Sequence, residues 1–558
     1  MTDTVAGTPI NVKLPDGTVR QVPWNTKIVE LAKECPGQSP DYPILAARVD
    51  NKFHSLSYQL RRDCELAFHT YRDPEGVEVY RRTLGMILAR AVKELKSNTR
   101  LVVEHSLGNG YFYEYFTDTI VNEPMLDIIA TRMREIIEKD EPIERRVLPR
   151  QEAIEFFENI GLTDKVRLLK YCEMEKLAIY SSGCFTDIGQ GPIAPSTGYT
   201  KVFALKPYQG GFILAFPERS DMKIHAHLRS QKKLFSVYHE AKQWAKILAV
   251  NNVGRLNEIV KSGKAPEFIR VAEGLQEKKI AGIADSIAAR QDVKLVLIAG
   301  PSSSGKTTFA KRLSVQLLAC GLRPVALGMD DYFVNREQTP RDEEGKIDYE
   351  VLEALDLALF NEHLPQLLSG QEVEIPNFNF TEGRRIGSKP AIRLDDDQIL
   401  IVEGIHGLNP KLTYSVPANR KMRIYISPLT QLSLDDFNRI PTTDTRLLRR
   451  MVRDQKYRNH PARGTLEMWP RVRRGEERNI FPFQEESDLM FNSALPYELA
   501  VFKKFAQPLL EDIRRDDPMY NEARRLLRFL QYFLPLPTDE IPRTSLVREF
   551  IGGSCFNY

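Results

Sequence analysis

The chain has 558 residues, which is too many for a single hydrophobic core and predicts two to four domains. Its formal net charge of +3, with 27% charged and 42% hydrophobic residues, is typical of a soluble globular protein and does not imply a global polyelectrolyte partner. The N-terminus lacks a basic segment followed by an apolar one, and no apolar run could span a bilayer, so we expect a cytoplasmic protein without a membrane partner.

Four segments with different patterns follow one another along the chain. Residues 8–68 alternate short apolar runs with turn signals such as Pro15-Asp16-Gly17, which is typical of a small β-rich domain. The next segment begins with helical spacing and becomes strand-like near Tyr111, and a Lys-, Glu- and Ala-rich helical connector follows it. We therefore predict an α/β multidomain protein whose domains span residues 1–70, 71–225, 226–290 and 291–558.

The fourth segment begins with a phosphate-binding signature. Residues 295–299 form a continuous apolar run of the kind that is buried in a parallel sheet, and a glycine-rich loop and a helical pattern follow at once. Backbone N–H groups of such a loop close around phosphate oxygens, Lys306 reaches the β- and γ-phosphates, and Thr307 can bind magnesium. The alternative is a chance glycine-rich turn, which the flanking strand and helix disfavour. The predicted nucleotide-binding residues are Gly300, Ser302, Ser303, Ser304, Gly305, Lys306, Thr307 and Thr308.

Two further strands end in acidic residues. Residues 324–329 precede Asp330, and residues 398–402 precede Glu403. An acid at the carboxyl end of a strand next to the loop can accept the proton of an acceptor hydroxyl and help to hold a metal. We expect Asp330 to be the catalytic base and a metal ligand and Glu403 to contact magnesium, whereas the alternative for Asp330 is an Asp-Asp turn that caps a helix.

Five arginines are spaced so that several lie on one side of a helix that continues into a loop. They are Arg446, Arg449, Arg450, Arg453 and Arg458. Such a cluster can close over the transferring group, neutralise its charge and exclude water. For Arg446 and Arg449, a solvated basic helix face is the alternative.

Four motifs in this order resemble the uridine kinase and phosphoribulokinase family of P-loop kinases. They are GPSSSGKTT, MDDYF, ILIVEGI and RLLRRMVRDQKYR, within residues 291–500. The resemblance implies ATP and Mg²⁺ as cofactors, Asp330 as base, Glu403 as magnesium ligand, and Arg453 and Arg458 as phosphate-binding lid residues next to Lys306.

The same resemblance implies an acceptor pocket. It places Phe333, Glu350, Phe378, Phe380 and Arg450 around a nucleoside. The family's base-binding tyrosine appears as Phe378, and its base-reading histidine appears as Gly383. Phe378 and Phe380 also fit strand-core residues of period two. The resemblance therefore implies a nucleoside kinase, with a sugar phosphate or another small alcohol as the alternative acceptor.

The N-terminal half resembles a TGS domain followed by the second domain of threonyl-tRNA synthetase. Phrases such as NGYFYEYF and GPIAPSTG carry the second resemblance. The synthetase's HxxxH, Cys and His positions correspond to Arg82, Met86, Gly189 and Ile193, none of which replaces a metal ligand. We therefore expect no editing or zinc chemistry. RNA, a nucleotide or another subunit stays open as a partner of this half, as does a homo-oligomer, and an ATP-switched RNA-associated regulator is the non-enzymatic alternative.

Overall fold

The computed structural model describes residues 7–35, 39, 41–97, 99–117, 120–225, 231–379, 382–430 and 432–558. Antiparallel β-sheets dominate the N-terminal half, and one parallel sheet organises the C-terminal half. The predicted α/β multidomain fold class is confirmed. Among the described residues, no helix combines the length and the apolarity needed to cross a bilayer.

The first part is a small β-rich unit. Its elements are β1 (Ile10–Lys13), β2 (Val19–Val22), α1 (Ile28–Lys33), β3 (Ile44–Val49), β4 (Lys52–Ser55) and β5 (Cys64–Thr70). They form a five-stranded sheet in the order β2-β1-β5-β3-β4. Ile10 and Val12 alternate with exposed residues in β1, so one face of the sheet packs against α1.

The second part combines two antiparallel sheets with four helices. Its elements are α2 (Pro74–Leu95), β6 (Arg100–Ser106), β7 (Gly110–Phe116), α3 (Glu123–Glu138), β8 (Glu144–Pro149), α4 (Arg150–Asn159), α5 (Thr163–Lys170), β9 (Lys176–Ser182), β10 (Phe185–Ile188), β11 (Ala204–Tyr208) and β12 (Gly211–Ala215). The sheets have the orders β10-β9-β8 and β11-β12-β7-β6. The apolar positions of α2 with helical spacing, among them Leu84, Ile87 and Leu88, are fully buried in this core.

Three helices connect the two halves. They are α6 (Lys232–Ile247), α7 (Val253–Lys261) and α8 (Ala265–Ala288). Asn252 begins α7 and accepts a hydrogen bond from the backbone N–H of Arg255 at 3.0 Å, which is a standard N-cap contact. The regularly spaced Ile280, Ile283 and Ile287 of α8 are buried against the parallel sheet.

The C-terminal part is built on a five-stranded parallel sheet. Its elements are β13 (Leu295–Ala299), α9 (Lys306–Ala319), β14 (Arg323–Gly328), α10 (Leu357–Leu368), β15 (Pro376–Asn379), β16 (Arg384–Ser388), β17 (Gln398–Glu403), β18 (Lys421–Ser427), α11 (Thr442–Tyr457), α12 (Ala462–Asn479), β19 (Leu489–Asn492), α13 (Glu498–Glu511), α14 (Tyr520–Leu530) and α15 (Arg548–Ile551). The strand order is β14-β17-β13-β18-β19, and β15 and β16 form a separate hairpin. Every residue of the central strand β13 is buried, as expected for a parallel sheet with helices on both faces.

A buried ion cluster joins the two halves. The ammonium group of Lys165 in α5 contacts Asp187 of the second part and lies 3.0 Å from Oδ2 of Asp435, in the loop between β18 and α11. Lys165 and Asp435 are fully buried. Burial raises the pKa of Asp435, whereas the charge of Lys165 opposes this shift. The halves therefore share an internal charge pair as well as apolar contacts.

Candidate nucleotide and acceptor site

The carboxyl ends of three adjacent strands bring the predicted site residues together. β13 and β14 both pair in parallel with β17, and Ile298 and Gly328 are both opposite Glu403. The loop after β13 and the 3-10 helix after β14, which carries Asp330, therefore open at the same edge of the sheet. Lys306 begins α9 at this edge.

The loop at residues 300–305 is tightly built. A Cβ on Gly300 would lie 2.0 Å from the carbonyl oxygen of Ile426, so only glycine fits there. Ser303 and Gly305 have φ values of 59° and 87°, which turn the backbone back toward α9. Within the described residues, the buried side-chain hydroxyls of Ser303 and Ser304 have no hydrogen-bond partner. The loop thus presents unused donors at a helix N-terminus, as an anion site requires.

Lys306, Thr307 and Glu403 form a charged group at the start of α9. The ammonium of Lys306 donates to the carbonyl oxygens of Gly300 at 3.0 Å and Pro301 at 3.3 Å. The hydroxyl of Thr307 donates to Oε1 of Glu403 at 2.8 Å. Burial raises the pKa of Glu403, whereas Lys306 and the Thr307 hydroxyl lower it. Burial lowers the pKa of Lys306, against the attraction of Glu403.

The oxygen atoms of this group suit a hard cation. Oε2 of Glu403 is buried and has no hydrogen-bond partner among the described residues. A buried carboxylate oxygen without a partner is costly. A magnesium ion, which prefers oxygen ligands, would satisfy it next to the Thr307 hydroxyl. The residues present therefore fit the metal that a phosphate loop implies.

Asp330 lies at the open mouth of this group. Its side chain is exposed, yet the surrounding walls desolvate the carboxylate and raise its pKa. Lys306 lowers that pKa, and the adjacent Asp331 raises it. Asp331 is held away by an ion pair of 2.7 Å with Lys389. Asp330 is therefore the acid in this pair whose carboxylate interacts electrostatically with Lys306.

Arg446 and Arg449 do not form a solvated helix face. Both are almost completely buried, at 1% and 0% exposure. Arg446 donates to the carbonyl oxygen of Ser302 at 2.9 Å, and Arg449 donates to those of Ser303 and Ser304 at 3.3 Å. The basic-face alternative is wrong for these two residues, because their guanidinium groups support the phosphate loop from its outer side.

Two acids that were not predicted from the sequence complete this outer support. Glu476 of α12 accepts the backbone N–H of Ser302 at 3.0 Å and pairs with Arg446. Glu498 pairs with Arg449 at 2.6 Å. Glu476 lies in a stretch of mixed basic and acidic residues, 471–478, yet it is only 1% exposed. The burial of Glu476 and its pairing with Arg446 could have been predicted only if the packing of α12 on α11 had been known.

The remaining arginines line the inner side of α11. Arg450 donates to the Ser302 hydroxyl at 2.8 Å, and Arg453 donates to Asp454 at 2.7 Å. Arg458 follows the last helical residue, is 59% exposed, and lies 3.7 Å from Asp454. Burial lowers the pKa of Arg458, and the charge of Asp330 opposes this shift. Arg458 is therefore an exposed cation in the electrostatic field of the predicted base.

The predicted acceptor residues divide into two groups. Phe333 and Phe378 are both buried, with ring centroids 5.6 Å apart, in one core that also contains Tyr332. Phe378 therefore fits the strand-core alternative. Phe380 lies outside the described residues.

Glu350 belongs to the second group of predicted acceptor residues, and Gly383 is the position where the resemblance implies a base-reading histidine. Glu350 is half-buried against α12. A Cβ added to Gly475 of α12 would lie 3.0 Å from the Cβ of Glu350. Burial raises the pKa of Glu350, as does Glu476, whereas Arg450 lowers it. A Cβ on Gly383 would lie 2.4 Å from Nε of Arg336. Arg336 thus fills the space of a side chain at position 383.

A second group of residues that were not predicted from the sequence belongs to the C-terminal tail. Glu549 and Tyr558 both contact Thr308, the third residue of α9. Glu549 is 8% exposed. The tail therefore forms one wall of the phosphate loop.

Among the metal-site positions of the synthetase resemblance, Arg82 lies next to the segment that carries Ile193. A Cβ on Gly191 would lie 2.6 Å from Nη1 of Arg82, and Arg82 donates to the Pro192 carbonyl at 3.1 Å. Met86 and Ile193 are buried in one apolar core. Arg82, Met86 and Ile193 thus contribute a guanidinium group and two apolar side chains at the positions that correspond to the synthetase's metal ligands. In the described ranges there is no group of three or more His, Cys, Asp or Glu residues with metal-site geometry.

Comparisons with known proteins divide the chain in the same way. Residues 295–499 match the model of the Phosphoribulokinase / Uridine kinase family. The N-terminal region matches the threonine–tRNA ligase of Azoarcus sp. (strain BH72), at 36% identity over 203 residues, and that of Francisella tularensis subsp. tularensis (strain FSC 198), at 33%. Each match covers 36% of this chain and 32% of the relative, so the chain spans about a third of the length of these relatives.

Two solved structures were also matched. One is described as a possible uridine kinase from Bacillus stearothermophilus, with 20% identity, a TM-score of 0.21, and coverage of 36% of this chain and 88% of that one. The other is a D-glycerate 3-kinase from Cryptococcus neoformans, with 13% identity, a TM-score of 0.20, and coverage of 48% and 89%. On its motifs, its parallel sheet and the family match, the part of the chain at residues 295–499 is similar to the Phosphoribulokinase / Uridine kinase family, and the N-terminal region is similar to threonine–tRNA ligases.

Proposed function

We propose that the protein transfers the γ-phosphoryl group of ATP to the 5′-hydroxyl of a nucleoside, with uridine or cytidine as first candidates. One observation carries this proposal. Lys306, Glu403 and the exposed carboxylate of Asp330 meet at the carboxyl edge of the parallel sheet, next to a loop with unused donors. A pure nucleotide switch needs the loop but has no use for an acid on the acceptor side.

In the proposed reaction, a bond forms between the acceptor oxygen and the γ-phosphorus, and the bond from that phosphorus to the bridging β-oxygen breaks. Asp330 accepts the hydroxyl proton, and ADP leaves. Lys306 and the loop N–H groups hold the β- and γ-phosphates, and Arg453 and Arg458 neutralise charge on the transferred group. Magnesium bound by Thr307 and Glu403, with help from Asp330, would offset negative charge on the phosphate oxygens.

The raised pKa of Asp330 suits a general base. Desolvation makes its carboxylate more basic than an ordinary aspartate, and the positive charge of Lys306 opposes this shift. Replacing Asp330 with Asn should lower kcat by about 10²–10⁴-fold. Binding of MgADP, measured by calorimetry, should persist. Asp331→Asn is the matched control, because Asp331 pairs with Lys389 and should not take the proton. Full turnover by Asp330→Asn would refute the assignment.

The acceptor pocket also favours a second candidate, a sugar phosphate or another small alcohol. Phe378 is a core residue, and Arg336 occupies the space beside Gly383 where the resemblance implies a base-reading side chain. Arg336 brings a guanidinium group to this side of the site, and a guanidinium group suits an acceptor that already carries a phosphate. Glu350 and Arg450 are the polar members among the predicted pocket residues that the structure describes.

A panel of acceptors separates the two candidates. ADP release from MgATP would be measured with each nucleoside and with a series of phosphorylated and free sugars. We expect the highest kcat/KM for uridine or cytidine, and a lower value for the Arg450→Met variant. A preference for a sugar phosphate that is lost in Arg336→Met would replace the nucleoside proposal with the second one.

A cation surface on the N-terminal side favours an additional role in RNA association. Its members are exposed and come from β4, β8 and the region of α14: Lys52, Arg145, Arg515, Arg524 and Arg528. Among the described residues, none of them pairs with an acid within salt-bridge distance. Burial and the charges of neighbouring arginines lower the pKa of Lys52 and of Arg528, as expected for cations that lack a counter-charge.

The geometry of this cation surface is set by contacts between β4 and α14. The backbone N–H of Phe53 donates to Asn521 at 3.1 Å, which places Lys52 beside the helix face of Arg524 and Arg528. His54 and Tyr58 lie next to it with ring centroids 3.9 Å apart, a stacking surface that an unpaired base could use. Together with the similarity to threonine–tRNA ligases, this arrangement suits an RNA backbone.

The test is the affinity of a labelled RNA hairpin at increasing salt, measured by fluorescence anisotropy. Arg528→Gln should weaken binding and reduce the slope of log K against log salt by about 1. Arg290→Gln, an exposed arginine before β13, is the control and should bind like the unchanged protein. Equal salt slopes for both variants would remove the RNA role.

A further inference from the structure

The last residues of the chain lie on the phosphate loop. Leu546 is fully buried, and a Cβ on Gly305 would lie 3.0 Å from its Cδ2 atom. α15 follows, and the chain then turns at Gly552, which has a φ of 90°, and leads to Tyr558. We call residues 545–558 the tail segment. It packs against the loop and also against α11, where Lys456 donates to the carbonyl oxygen of Ile551.

The tail segment occupies donors at the start of α9. The first turn of a helix has backbone N–H groups without internal partners, and in a phosphate loop these groups hold the α- and β-phosphates. Oε2 of Glu549 accepts the backbone N–H of Thr308 at 3.3 Å and its hydroxyl at 2.6 Å. The phenol oxygen of Tyr558 lies 2.8 Å from the same Thr308 hydroxyl. Thr308 itself is fully buried.

The carboxylate also acts on the other groups of the site. Its charge raises the pKa of Lys306, and it raises that of Glu403 as well. Glu549 therefore places a negative charge in the positive electrostatic potential where the loop would bind a phosphate. A phosphate oxygen and this carboxylate cannot both take the Thr308 N–H without strong repulsion.

The tail segment is fastened through both ends of α15. Arg548 donates to the carbonyl oxygens of Thr538 and Ile541 at 2.8 Å. Lys456, which lies in α11 between the phosphate-binding candidates Arg453 and Arg458, donates to the carbonyl oxygen of Ile551 at 2.7 Å. Movement of the tail segment would therefore release Lys456 at the end of the arginine helix.

We propose that the tail segment is a built-in competitor of the phosphoryl donor, in which Glu549 takes the place of a nucleotide phosphate at the Thr308 N–H and must leave when a nucleotide binds. The inference rests on the proposed function, because it takes the loop to be the ATP site. It assigns to Glu549 and Tyr558 the control of nucleotide affinity. The Lys456 contact links that control to α11.

The first test is the affinity for MgADP, measured by calorimetry on the full-length chain. Glu549→Gln removes the charge but keeps an acceptor for Thr308, and should bind MgADP about ten-fold more tightly, within the usual range of coupling between two sites. Tyr558→Phe should bind more tightly by a smaller factor, and it guards against a folding defect in the first variant. Glu540→Gln is the matched control, because Glu540 is exposed and pairs with Arg270 away from the loop.

The outcomes separate the two proposals. Equal or weaker binding by both Glu549→Gln and Tyr558→Phe would overturn the competitor role while leaving the kinase proposal intact. Absence of binding by every protein would overturn both. Tighter binding that disappears when Lys306→Ala is added would locate the effect at the phosphate loop, and tighter binding that survives this change would overturn the inference.

The second test uses the unchanged protein. Trypsin cuts after arginine, and Arg543 and Arg548 flank the buried start of the tail segment. If the nucleotide displaces the tail segment, cleavage at these two positions should speed up on addition of MgADP, while cleavage elsewhere in the chain should not. Unchanged or slower cleavage at both positions would overturn the displacement.

Discussion

Replacing Arg449 with Met removes one half of a fully buried ion pair. Arg449 and Glu498 have side-chain exposures of 0% and 2%, and their closest atoms are 2.6 Å apart. Removing one partner of such a pair costs about 3–5 kcal/mol, because the other charge stays buried without compensation. The same change removes the donors to the Ser303 and Ser304 carbonyls. We therefore expect the free energy of unfolding to fall by about 3–5 kcal/mol and MgADP binding to weaken.

The stability lost in Arg449→Met should depend on pH. Burial raises the pKa of Glu498, whereas Arg449 lowers it, so removing Arg449 raises this pKa further. A raised carboxyl pKa in the folded state means that stability is lost as pH rises above the ordinary glutamate value of about 4.3. The deficit of Arg449→Met should therefore be largest at neutral pH and should shrink on acidification toward pH ~4–5.

The assay is urea-induced unfolding at several pH values, followed by circular dichroism. The double variant Arg449→Met/Glu498→Gln should recover most of the loss, since it leaves no buried charge unpaired. A single variant within about 1 kcal/mol of the unchanged protein at neutral pH would refute the reasoning, because that loss is typical of an exposed ion pair.

Three shorter predictions concern the loop and the acids. Gly300→Ala should abolish MgADP binding, because its Cβ would lie 2.0 Å from the Ile426 carbonyl oxygen, and near-normal calorimetric affinity would contradict the fit. The charge of Asp331 raises the pKa of Asp330, so Asp331→Asn should shift the acidic limb of the kcat/KM profile to lower pH. A shift of this acidic limb to higher pH would contradict the prediction. Glu403→Gln should raise the magnesium concentration needed for half-maximal activity, and an unchanged requirement would exclude Glu403 as a ligand.

The sequence was sufficient to predict the parallel sheet and its nucleotide edge because those signals are local. An apolar strand, a glycine loop and a helix follow one another within residues 295–319, and the acids at 330 and 403 directly follow strands or end them. The strand order then brings their ends together without further information.

The surroundings of the loop could not be predicted, because they depend on contacts between distant segments. Arg446 and Arg449 look like any basic helix face until their partners are known, and Glu476 and Glu498 lie 30 and 49 residues further on. Glu549 is separated from Thr308 by 241 residues. Charge pattern alone does not reveal whether an arginine is paired and buried or hydrated. The role of Phe378 could not be predicted for a similar reason, because every second residue of a strand lies on the same face, whether that face lines a core or a pocket.

The ion cluster around Lys165 affects whether the two halves of the protein can be produced separately. Its ammonium group is balanced by Asp187 from its own half and by Asp435 from the other. A cut in the connecting helices would leave each fragment with a formerly interior charge facing water or unmatched. We therefore expect separately expressed halves to be less soluble than the intact chain, and to regain their behaviour when they are produced together.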